Sequence, residues 1–380
     1  MSKQGRVFNT DNGWAYDVDV GPSASGRSRK RQKGFTTKRE AIEAMKATQD
    51  RYADISDPTK VDVSTYLGTW VYRRAANGAI RATTADSYQR NINLACGQIG
   101  HIKLERLTAT DLDRFYQYLL TTGGRTGSGR SPRTVLYFHT IIRTALADAV
   151  RKGMLSRNVA DLADSPSSSS ARAPERRIWS ASEVRDFLSD DRLPHYRQIA
   201  WTLALSTGLR RGELAALTWS DIKGDQLSVV RTRSTANHEV VEGAPKTARG
   251  RRTLAISPDL VLMLKEWKKT QTELLLRSGI RQDYVLTNTT LSPWHPDALT
   301  RQWTRDAKEA VADGLVSFYM PLHNCRHWNA TQLVAARVDL NTVADRLGHS
   351  TPAFTLATYG HSDPERDREA AIALGNALNG

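Results

Sequence analysis

Fourteen consecutive residues, DSPSSSSARAPERR at positions 164–177, hold no apolar side chain larger than alanine or proline. Such a run cannot contribute to a core and reads as an extended linker. The chain must therefore fold as separate lobes on either side of it, and its 380 residues suffice for two or three cores.

Two patterns precede the linker. Within residues 1–60, Trp14, Tyr16, Val18 and Val20 alternate with Ala15, Asp17 and Asp19, the period of two of a strand with one buried face. The following GPSASGRSRKRQKGF carries Arg27, Arg29, Lys30, Arg31 and Lys33 without an acid and reads as a basic turn leading to another strand. Thr37, with Glu40 three positions on, has the spacing of a capping box and predicts a helix start. From Val61 to Asp164, VDVSTYLGTWVYRRAA, TADSYQRNINLACGQI, TATDLDRFYQYLLTT and SPRTVLYFHTIIRTALADAVRKG repeat apolar residues every three or four positions, which predicts four helices around one core. Between Thr122 and Asn158 seven basic residues stand against one acid, Asp148. The loop GGRTGSGRSPRT, with Arg125, Arg130 and Arg133, is read there as a phosphate-contacting segment, the plain alternative being a flexible glycine-rich loop.

Beyond the linker, polar residues stand where helix packing does not ask for them. In LALSTGLRRGELAALTWSDI, Arg210 opens a helix after a Thr-Gly turn and Glu213 follows three residues later. GAPKTARGRRTLAIS places Lys246 on a hairpin between the strand-like runs LSVVRTRS and RRTLAIS. His323 and Arg326 in HNCRHW share a helical face. His349 follows the turn-like LGHS context, and Tyr359 stands ten residues on, before Gly360. The tail PERDREAAIALGNALNG forms an amphipathic helix with Ala371, Leu374 and Leu378 on one side, packed on its own domain or on a neighbouring protomer.

These residues suit attack on a phosphodiester. Two arginines grasping its non-bridging oxygens neutralise charge that develops in the transition state. A lysine among Arg249, Arg251 and Arg252 is placed to act as general acid toward a 5′ oxygen. A phenol, with an ordinary pKa of about 10, needs a cationic site and a proton acceptor to become a nucleophile. His323 is the candidate acceptor, and His349 the candidate donor to the phosphate.

Arg210, Lys246, the His323–Arg326 pair, His349 and Tyr359 come in the order and approximate spacing of the tyrosine recombinases of the phage integrase family, which this chain resembles over residues 206–359. Glu213 matches the acid that braces the family's first arginine. Asn324 and Cys325 depart from the Asp and Leu usual in the HxxR pair, with an effect expected on local hydrogen bonding. The resemblance implies a mainly α fold with small β elements in three parts. Residues 1–60 would be a three-stranded sheet plus helix for arm-type DNA. Residues 61–164 would be an all-helical core-binding (SAM-like) domain and 165–177 a linker. Residues 178–380 would be a mixed, mostly helical catalytic domain. The implied function is site-specific recombination through a 3′-phosphotyrosine, integrating and excising a phage or mobile element. Implied partners are double-stranded DNA with core-type and arm-type sites, three further protomers in a tetramer on DNA, a DNA-bending host factor and an excision factor.

The alternatives are a type IB topoisomerase-like nicking and closing enzyme and a non-catalytic DNA-binding regulator. A formal charge of +14, from 54 Lys and Arg against 40 Asp and Glu, fits a DNA partner and also general solubility. Cys96 and Cys325 build neither a disulfide framework nor a metal site, so no metal or other cofactor is expected. With no apolar signal core and no stretch near the ~20 apolar residues of a membrane span, the expected location is the cytoplasm of a bacterial host, in association with the nucleoid.

Overall fold

A computed structural model describes residues 6–10, 13–23, 26–52, 59, 61–124, 127–167, 177–236, 239–245 and 247–348, with Arg368, Ile372 and Asn376. For 19–23, 26–30, 47, 49–52 and 248 the description is of backbone alone. The chain is mostly helical with small antiparallel sheets, and it divides into two compact units, Met1–Pro174 and Glu175–Gly380.

The first unit begins with a three-stranded antiparallel sheet, β1 (Arg6–Thr10), β2 (Gly13–Ser23) and β3 (Gly26–Phe35), followed by helix α1 (Lys38–Tyr52). The basic run expected as a turn is strand β3. Asp17 of β2 lies opposite Arg31 in the register, and opposite charges across strands make a basic segment acceptable in a sheet. The simple alternation expected in β2 also fails, since Ala15, Tyr16, Asp17 and Val18 are all buried. Tyr16 carries the tie to α1, its hydroxyl lying 2.7 Å from Thr48 Oγ1. The capping box starts α1 as the spacing predicts, with Glu40 N donating to Thr37 Oγ1 at 3.2 Å and Thr37 N to Glu40 Oε2 at 3.3 Å.

Four helices follow in this unit: α2 (Val63–Ala76), α3 (Ala82–Ile99), α4 (Ala109–Thr121) and α5 (Pro132–Arg151). Tyr66, Leu67, Trp70, Leu112, Phe115, Phe138 and Ile142 fill the core between them. Sequence sets the helix starts: Asp62 caps α2, a Thr108–Asp111 capping box starts α4, and Ser131 caps α5 ahead of Pro132.

The second unit opens with α6 (Ala181–Leu188), α7 (His195–Thr207) and the one-turn α8 (Arg211–Leu214). Five strands come next: β4 (Ile222–Lys223), β5 (Gln226–Val229), β6 (Thr232–Ala236), β7 (Glu239–Gly243) and β8 (Arg252–Ala255). The unit continues with α9 (Pro258–Ser278), α10 (Pro296–Ala312), α11 (Leu322–Ala335) and α12 (Leu340–Leu347). Trp179, Trp201, Trp303 and Phe187 centre its core, and the indole N–H groups of Trp201 and Trp303 donate to Asp306 Oδ2 and the Met320 carbonyl. β5 pairs with β4 and β8, whereas β6 and β7 pair with each other. LSVVRTRS is thus two strands rather than one, broken where Arg231 turns aside to bond Asp221 at 2.7 Å. β5 and β8, from the two runs expected to flank Lys246, do pair, with the β6–β7 hairpin inserted between them in sequence; Lys246 itself lies outside the described residues.

Arg368, Ile372 and Asn376 are helical and exposed, while Ala371, Leu374 and Leu378 of the expected tail helix lie outside the described residues. No helix among the described residues is long and apolar enough to cross a membrane.

Candidate active site

The site forms where three backbone carbonyls at the C-terminal end of α12 meet three arginines from distant parts of the chain. Arg252 Nε donates to the carbonyl of Arg346 at 2.6 Å, Arg326 Nη2 to that of Leu347, and Arg210 Nη2 to that of Gly348 at 2.9 Å. The last carbonyls of a helix lack intrahelical donors and carry the negative end of its dipole, so cations belong there. The next residue in sequence is His349.

Two glycines allow this approach. Gly208 ends α7 and Gly348 ends α12, both left-handed with φ of 62° and 66°. A Cβ on Gly348 would stand 2.9 Å from the Arg249 carbonyl oxygen and 3.1 Å from Arg252 Nη1. Gly348→Ala is therefore expected to lower the unfolding midpoint, the left-handed backbone alone costing about 1–2 kcal/mol; a thermal melt checks it.

Arg210 caps the short α8, and Glu213 bonds it twice, accepting from Arg210 N at 3.0 Å and from Nη1 at 2.7 Å. Glu213 is 4% exposed and also accepts from Arg252 Nη2 at 2.9 Å and Nη1 at 3.2 Å. Burial pushes the Glu213 carboxyl pKa upward, but the hydrogen bonds and charge of Arg252, with the Arg210 N–H and charge, outweigh it and hold the pKa below the ordinary value. The carboxylate thus stays ionised between the two guanidiniums.

Arg326, on α11, is 4% exposed and also donates from Nη1 to the Gly208 carbonyl at 3.0 Å. Asn329, one turn on, donates to the carbonyls of Leu205 and Ser206 at 2.8 and 2.9 Å, fastening α11 to α7. His323 is on the same helix as expected, but it is exposed, its ring meeting His327 edge-on at 5.2 Å between centroids. Cys325 faces the core, which drives its thiol pKa well up, and Asn324 donates to the Arg177 carbonyl at 3.0 Å.

The structure thus gathers Arg210, Glu213 and Arg326 around the end of α12. Lys246, His349 and Tyr359 lie outside the described residues, as do Arg125 and the side chains of Arg27, Arg29 and Lys30. Arg31 and Lys33 are exposed on β3, with the Arg31 guanidinium 4.6 Å from the Phe8 ring centroid. Arg133 is exposed at the start of α5. Arg130 has a structural task, since its Nε donates to the Gly123 carbonyl at 2.7 Å and closes the 123–130 loop. Sequence reasoning took Arg252 only as a charge beside Lys246. The signal was available, because alternation along β8 puts Arg252 on the side of buried Leu254 and Ile256.

The family model described as Phage integrase family matches residues 179–366. The chain is 24% identical to the Tyrosine recombinase XerC-like protein of Caldanaerobacter subterraneus subsp. tengcongensis, with 98% of each chain covered. It is 27% identical to the ICEBs1 integrase of Bacillus subtilis, with 72% of each covered. Among solved structures, the Tn1549 transposon integrase in complex with a circular intermediate DNA superposes with a TM-score of 0.67 at 17% identity, over 83% of this chain and 100% of that one. At that identity the superposition establishes likeness of fold.

Proposed function

We propose that this chain, a site-specific DNA recombinase of the phage integrase family of tyrosine recombinases, integrates, and by the same chemistry excises, a phage or mobile element. The observation that carries the proposal is the held pair Arg210 and Arg326. Each has two guanidinium N–H groups fixed by Glu213 or by backbone carbonyls. Donors locked in this way reach a transition state without reorganising.

Arg210 and Arg326 take the non-bridging oxygens of the scissile phosphate. The Tyr359 phenol oxygen forms a bond to phosphorus while the bond to the 5′ oxygen breaks. His323 accepts the phenol proton, Lys246 gives a proton to the departing 5′ oxygen, and His349 donates a hydrogen bond to a non-bridging oxygen. The products are a 3′-phosphotyrosine and a 5′ hydroxyl. A 5′ hydroxyl from the partner duplex reverses the step, so religation needs no ATP. Positive charge that a metal ion would bring elsewhere is supplied here by the arginines.

One tyrosine per protomer and four strands to cut require four protomers on two duplexes. Residues 1–60 hold arm-type sites through Arg27, Arg29, Lys30, Arg31 and Lys33. Residues 61–164 hold core-type sites with Arg125, Arg130 and Arg133, residues 165–177 link the lobes, and 178–380 carry out the chemistry. The protein works in the cytoplasm of a bacterial host, at the nucleoid, with a DNA-bending host factor and an excision factor as partners.

The test is a plasmid assay with one or two candidate attachment sites taken from the element's ends. Recombinant circles only with paired sites are the expected result. Relaxation of a single-site supercoiled plasmid, with no recombinants from paired sites, would replace recombination with simple nicking and closing.

A further inference from the structure

Arg252 is placed to do more than add charge near Lys246. Its guanidinium forks onto both oxygens of Glu213, at 3.2 and 2.9 Å, and so holds the carboxylate that fixes Arg210. Its Nε holds the Arg346 carbonyl, three residues before His349. Its Nη1 also donates to the Gly250 carbonyl at 3.2 Å, within the segment that joins Lys246 to β8. One side chain, 6% exposed, therefore bonds the carboxylate that holds Arg210 and two backbone carbonyls from separate segments.

The local sequence explains how a charged group reaches this position. β8 pairs with β5 from Arg252 opposite Val229 to Ala255 opposite Gln226, which fixes which face Arg252 shares with buried Leu254. Gly348 lets the end of α12 settle against the side chain, since a Cβ there would lie 3.3 Å from Arg252 Cδ. Lysine has no planar fork and cannot span a carboxylate and two carbonyls in these directions.

We propose that Arg252 is a positioning residue of the recombination reaction, setting Arg210 through Glu213 and, through the carbonyls of Arg346 and Gly250, the backbone on which His349 and Lys246 are carried. This rests on the reading of the site as a DNA-cleaving one. The guanidinium touches no substrate atom; its effect is on alignment, so it acts on the chemical step and leaves duplex binding to the exposed basic surfaces.

The test compares the whole chain with Arg252→Lys and Arg252→Met, measuring duplex affinity, melting temperature and single-turnover formation of the covalent protein–DNA complex on a nicked site. Both variants are expected to bind duplex within about threefold of the native protein, while cleavage falls about 100-fold for lysine and further for methionine. Because part of the effect of Arg252 runs through Arg210, the double variant Arg210→Lys/Arg252→Lys is expected to lose less cleavage than the product of the two single losses. Cleavage by Arg252→Lys at the native rate, or losses that multiply in the double variant, would overturn the proposal. Loss of duplex binding in step with cleavage, or recovery of both variants only as unfolded protein, would assign Arg252 to the fold instead. A native chain that binds its site and forms no covalent complex would overturn the underlying reading of the site, whatever the variants do.

Discussion

Arg326→Ala is expected to remove DNA cleavage and to destabilise the protein together. Arg326 is buried, and its guanidinium donates to the carbonyls of Gly208 and Leu347, at the ends of α7 and α12. Leaving two buried carbonyls without these donors costs about 2–4 kcal/mol. Loss of a charged donor to the developing phosphate charge lowers the cleavage rate by about 1,000-fold or more. Arg326→Lys separates the two effects. It keeps a charge in the site and so cleaves faster than the alanine variant, but one ammonium cannot hold both carbonyls and a phosphate, and the rate remains about 100-fold below native. Melting curves and single-turnover cleavage of the same preparations measure both.

Glu213→Ala is the second large change. The carboxylate is shared by Arg210, which is 42% exposed, and Arg252, which is 6% exposed. Without it Arg210 can turn to water, but Arg252 is left as a buried charge lacking its counter-ion, at a cost of about 3–5 kcal/mol. Glu213→Gln retains the volume and a hydrogen-bonding oxygen and is expected to lose less. The pH dependence has a definite sign. The folded-state pKa of Glu213 lies below the ordinary 4.5, so its stabilisation is fully present above that value and is lost as pH falls through the folded-state value. Urea unfolding between pH 7 and the acid side of 4.5 should show the native midpoint falling toward that of Glu213→Gln, which lacks this contribution. Parallel curves over the whole range would show that the ion pair carries no net stability.

Local chemistry made much of the fold legible. Thr37 with Glu40, Thr108 with Asp111, and Ser131 before Pro132 mark helix starts through groups within three residues of each other, and each marks one in the structure. The misreadings have a common physical cause in pairing between distant segments. The basic run at 26–35 reads as a turn until Asp17 is known to stand opposite it. The β6–β7 hairpin went unseen because EVVEG at 239–243 is short and largely exposed, with no buried face to set a period. In the site, Arg210, Glu213 and Arg326 were readable from their motifs. The carbonyls that hold the arginines were not, since those contacts span 94, 118 and 138 residues and a carbonyl has no letter in the sequence.

The central claim is that Tyr359 forms a covalent bond to DNA in a site built on Arg210 and Arg326. The most direct measurement is trapping on a nicked duplex that carries a candidate site, in a chelator-containing buffer, with the native chain and Tyr359→Phe side by side. The account predicts a denaturation-resistant protein–DNA complex with the native chain and none with Tyr359→Phe, although both bind the duplex. Covalent complex persisting in Tyr359→Phe, or absent from a native chain that binds the site and has been supplied with its partner duplex, would contradict it.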